Sequence, residues 1–137
     1  MSLTNAGVLG ARQNSNPVLV SALFTSPTAG FGYGTGAGGT ATQTTSRTTT
    51  VALNKMCGQV TMFSAAGSAT AATFTLSNTS IAATDEVRFW QVSGTNLYNF
   101  LTTSVSSSAA NCTFFTTGGT ATDAPVVGFS VIKAVTA

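Results

Sequence analysis

Histidine is absent from this chain, and only five basic and three acidic residues stand among its 137. A typical soluble domain is about 25% charged; here the share is 6%. Each shortage excludes a class of chemistry. Without histidine there is no Ser-His-Asp or Cys-His relay. The two cysteines, Cys57 and Cys112, lie far apart and have no imidazole to join them, which leaves a transition metal poorly supplied. Three acids would make a sparse calcium site. The cations Arg12, Arg47, Lys55, Arg88 and Lys133 are scattered singly, so no cluster is set to neutralise several phosphates. The sequence therefore predicts no enzyme activity, no cofactor, no metal and no direct nucleic-acid partner.

Long apolar runs are missing too. The longest, Val18 to Phe24, falls far short of the roughly 20 residues a bilayer span needs, so no membrane partner is expected. Residues 1–16 show neither the basic start nor the apolar stretch of a secretory signal. That reading places synthesis in a cytosol and makes both thiols free, buried and inert. The glycosylation sequons at Asn78 and Asn111 then carry little meaning.

What fills the space is neutral: 26 Thr, 15 Ser, 20 Ala and 14 Gly. A chain of this mass folds to a surface of about 6,600 Å², or roughly one charge per 800 Å². So few charges defend weakly against association. Either hydroxyls solvate the exterior or other subunits cover it.

Two regions differ in composition. Residues 1–46 hold Pro17, Pro27 and the glycine-rich stretch from Gly30 to Gly39, and read as an extended arm with one strand at 18–24. The arm reads either as disordered or as ordered only when laid across a partner, with Phe24, Phe31 and Tyr33 as apolar anchors. Residues 47–137 read as the body. There, short runs rich in Thr, Val and Phe recur between Gly, Ser and Asn: Thr49–Leu53, Gln59–Phe63, Thr73–Ser77, Val87–Val92, Leu97–Leu101, Cys112–Thr116 and Val126–Ile132. This spacing predicts an all-β sandwich or barrel. The alanines at 65–72 read as a loop. Both faces of 126–132 are apolar, which predicts a central strand or one under a subunit contact.

Several motifs have a chemical reading beside a structural one. Gly34 to Gly39 satisfies G-x-G-x-x-G, yet no helix and no acidic ribose partner follow, so it reads as a glycine loop. Asp85, Glu86 and Asp123 could pair for glycoside hydrolysis, but Asp85-Glu86 reads better as loop punctuation before a strand. Trp90 is the sole tryptophan and shares a face with Arg88 and Val92, a combination enriched at interfaces.

Three stretches carry a resemblance: GAGGTATQTTSRTTTVALNKMCGQ from Gly36, its continuation VTMFSAAGSATAATFTLSNTSIAATDEV, and the closing FFTTGGTATDAPVVGFSVIKAVTA. Over residues 30–137 the chain resembles the capsid cement, or decoration, proteins of short-tailed bacteriophages of the Bordetella phage type. The resemblance implies a jelly-roll-like antiparallel β-sandwich, bound outside the capsid shell and stabilising it. It implies the major capsid protein as partner and self-association, as a homodimer in preference to a homotrimer. The location implied is the outer capsid surface of the virion, after synthesis in the host cytoplasm. The competing expectation is a tail or fibre component that binds a carbohydrate receptor. The candidate interface residues are Arg12, Phe24, Phe31, Tyr33, Arg47, Arg88 and Trp90.

Overall fold

The computed structural model describes residues 32–134. Its strands follow from alternation. In β8 (Ala109–Gly118) the side chains of Ala110, Cys112, Phe114 and Thr116 are buried, and their neighbours lie further out. In β5 (Ala72–Ser77) Phe74 and Leu76 point in while Thr73 and Thr75 point out. Period-two burial of this kind is what one wet and one dry sheet face require. No helix occurs among the described residues, and the class is all-β, as the sequence predicts.

Two four-stranded sheets form the sandwich. The first runs β1 (Gly38–Thr42), β3 (Cys57–Thr61), β10 (Val126–Ile132), β6 (Glu86–Ser93). The second runs β2 (Val51–Ala52), β5, β8, β7 (Leu97–Ser106). A short pair, β4 (Ala65–Ala66) with β9 (Thr122–Asp123), stands beside them. Apart from β7 and β8, which are neighbours in the second sheet, successive strands of the two large sheets alternate between them: β1 then β2, β3 then β5, β6 then β7, β8 then β10. Each such pair forms one layer of a ribbon wrapped across both sheets. The last layer inserts between the second and third, which makes β10 and β8 central. This wrapping is compatible with a jelly-roll-like course.

The core lies between the sheets. Val60, Leu76, Cys112, Val127, Phe129 and Val131 have no exposed surface. The Phe74 and Phe89 rings meet edge-on across the two sheets at 6.0 Å between centroids, a favoured aromatic geometry. On the outer face of the second sheet, hydroxyls bond to one another: Thr73 to Thr113 at 2.7 Å and Thr103 to Thr113 at 3.0 Å. Thr75 donates to Asn111 at 2.8 Å. Neutral β-branched side chains thus satisfy a surface that other proteins cover with charge.

Two expectations need correction. The sandwich is not wholly antiparallel, because β1 joins β3 and β2 joins β5 in parallel. The arm does not extend to residue 46, since residues 38–42 are a strand of the first sheet and Gln43 is buried. The cause is backbone packing that propensity does not report. Gly39 lies opposite Gly58, and a Cβ on Gly58 would sit 2.5 Å from the Gly39 carbonyl oxygen. Paired glycines let two backbones approach where composition alone suggests a loose linker. The expected strand at 18–24 lies outside the described residues.

Candidate functional site

The sequence-predicted interface residues scatter. Arg12, Phe24 and Phe31 lie outside the described residues. Tyr33 is half-exposed, and its hydroxyl donates to the Val131 carbonyl. Arg47 is buried, which corrects its expected place at an interface. Arg88 and Trp90 are exposed on β6, on the outer face of the first sheet.

Arg47 belongs to an internal polar network. Its Nε donates to the Phe63 carbonyl at 3.0 Å. Nη1 donates to the Tyr98 hydroxyl at 2.7 Å and the Ala66 carbonyl at 3.3 Å. Nη2 donates to the Ala65 carbonyl, to the Asp123 carbonyl and, at 2.9 Å, to Asp123 Oδ1. The guanidinium has no donor left over. Asp123 is as fully engaged: Oδ1 also accepts from the Tyr98 hydroxyl at 2.6 Å and Asn96 Nδ2 at 3.1 Å. Its Oδ2 accepts from the amides of Thr95 and Asn96. Burial pushes the Asp123 carboxyl up, but these donors outweigh it and hold it below the ordinary value. Burial, then the neighbouring carboxylate, raises the Tyr98 phenol. The network ties the β6–β7 turn to β9 and to the Arg47 loop.

Asp85 closes the other turn. It accepts from the amides of Ala82 and Ala134 and from Lys133 Nζ. Burial raises its carboxyl, yet those bonds prevail and the carboxyl lies low. Glu86 instead faces outward and takes a 2.6 Å bond from Arg88 Nε. The three acids are thus each engaged in separate contacts. Cys112 is buried and its thiol is pushed up to about 12, which makes it inert. Cys57 is half-buried rather than buried, and both thiols are free. The glycine motif forms a turn, Ala37 donating to Gly34, that enters β1 with Gly36 at φ 91°.

Large apolar side chains are left exposed at Leu97 and Leu101 on β7 of the second sheet and on the outer face of the first sheet. Trp90, Val92 and Ile132 are 46%, 43% and 43% exposed. Their alternation with buried Val87, Phe89 and Val131 follows the even–odd reading of the sequence. Gly128, which the sequence did not single out, shapes the centre of this face. It is the register partner of Trp90. A Cβ there would sit 2.5 Å from Trp90 Cε2, 2.6 Å from Cζ2 and 2.8 Å from Nε1. The atom nearest that position is the ring-fusion carbon, so the indole lies face-down on the glycine. Its other face is turned outward. A lone glycine in the run VVGFSVI was the available signal, since a strand glycine often marks a close approach.

Compared with family models, curated proteins and solved structures, the chain matches none.

Proposed function

We propose that the protein is a non-enzymatic structural component of a bacteriophage virion, one that binds the outer capsid shell and stabilises it as a decoration protein. The single observation that carries the reading is where polar chemistry and apolar surface lie. No buried side-chain nitrogen or oxygen among the described residues lacks a partner, while large apolar side chains are spent on the exterior. Such a body is suited to adhere, not to turn over a substrate. A protein laid over the seams of a shell resists expansion because parting the seam re-exposes apolar surface, at roughly 25 cal/mol per Å². Association costs freedom, so the net gain is smaller. The partner is the major capsid protein. A homodimer fits a charge-poor body, since a two-fold contact uses the same patch on both copies.

Heat challenge of purified particles tests this. Particles lacking the protein are expected to release DNA at milder temperature than complete ones, and adding the purified protein back restores the difference. Equal thermal stability with and without the protein overturns the proposal.

A further inference from the structure

The geometry points to a binding site for a neutral oligosaccharide on the outer face of the first sheet, with the Trp90 indole as its platform. This inference goes beyond shell binding and does not rest on it.

The platform is built, not incidental. Gly128 leaves out the side chain that would hold the indole off the sheet, so the edge strand β6 presents a flat aromatic surface laid over the inner strand β10. The cross-strand row continues from Trp90 over Gly128 to Gln59 and Thr40. At about 4.8 Å between strands, that row spans roughly 14 Å, the length scale of a short oligosaccharide. Gln59 and Thr40 are both exposed. An amide and a hydroxyl each offer donor and acceptor, the pairing that sugar hydroxyls need. The next row sets Ser130 beside Arg88, whose guanidinium is already held by Glu86 at 2.6 Å.

Charge then selects the ligand class. The face carries one acid and one base, bonded to each other, so it offers no net field to an anion or a cation. A single-stranded nucleic acid would also stack on the indole, but it needs a run of cations along its backbone, and none is present. An apolar sugar face resting on indole, with hydroxyls bonded at the edge, matches an aromatic plane flanked by neutral polar groups.

Because Trp90 is the sole tryptophan, the full chain reports its own occupancy. The experiment titrates it with cellotriose, maltotriose and tri-N-acetylchitotriose, following tryptophan emission and, in parallel, calorimetric heat. At least one trisaccharide is expected to give a saturable emission shift in the millimolar range. Trp90→Ala should abolish the heat of binding, Trp90→Phe should retain part of it, and Gln59→Ala should weaken it. Gly128→Val, which lifts the indole, should lose the saturable signal; circular dichroism checks that each variant is folded. Three results overturn the inference: no saturable response to any of the three sugars, binding heat unchanged in Trp90→Ala, or emission that shifts with protein concentration and ignores sugar. The last would identify the face as a contact between copies.

Discussion

Asp123 receives hydrogen bonds from Arg47, Tyr98 and Asn96 side chains and from two backbone amides. At the scale of the residue, this carboxylate is where the molecule has most to lose. Removing one partner of a buried ion pair leaves the other charged, desolvated and unpaired, a loss of about 3–5 kcal/mol. Asp123→Ala is therefore expected to lower unfolding free energy by that amount, measured by urea denaturation. Replacing both members, Arg47→Met with Asp123→Leu, should cost less than the single change, because no orphan charge remains. A double variant more damaged than Asp123→Ala would show that hydrogen bonds to the loop carbonyls, not charge pairing, dominate. The same logic explains why Arg47 is no interface residue. Its guanidinium is consumed inside, and a partner would find no free donor.

At the scale of the element, β1 depends on what is missing opposite it. Gly58 lies under the Phe129 ring, and its would-be Cβ meets Phe129 Cε1 at 2.9 Å as well as the Gly39 carbonyl. The carbonyl belongs to backbone and Phe129 is fully buried, so neither can swing away. Overpacking of this kind costs about 1–3 kcal/mol. Gly58→Ala is expected to destabilise by that much and to loosen β1 first. Amide hydrogen exchange checks the order: protection along Gly38–Thr42 should fall before that of central β10. Gly128 and Trp90 repeat the arrangement on the outer face with the opposite consequence. There the ring is half-exposed and can move, so Gly128→Ala should displace the indole with little loss of stability.

At the scale of the whole molecule, sparse charge sets the response to pH. No histidine titrates between about pH 5 and 8, so stability should be flat there. Asp85 and Asp123 both lie below the ordinary value of 3.8 in the folded state. The unfolded chain thus takes up protons at these sites first as pH falls. Their contribution is complete above about pH 5 and is lost as pH drops through 3.8 toward the folded values. Thermal melts across this range should show a plateau at neutral pH and a decline in acid, shallower in Asp123→Ala than in the native chain. A decline beginning near neutrality would contradict the assignment. Removal of residues 1–30 leaves every described strand in the chain, since β1 begins at Gly38. That truncation should keep its circular dichroism and melting transition while losing capsid binding. Full capsid occupancy would assign shell contact to the sandwich itself.

Short Thr-, Val- and Phe-rich runs and two-residue alternation determined, from sequence alone, that the fold is all-β, that 126–132 is apolar on both faces and that Arg88, Trp90 and Val92 share a face. These are local properties, fixed by which side of a pleat each residue occupies. Three features lay beyond that reach. The strand at Gly38–Thr42 forms because a distant glycine accepts its backbone. Arg47 is internal because Asp123 and Tyr98 converge on it from other parts of the chain. Trp90 lies flat because Gly128 stands opposite in register. Each depends on a residue far away in sequence, and strand register supplies that pairing only once the sheets have closed. Sequence decided which side chains face outward on the first sheet; tertiary structure decided that one of them is a platform.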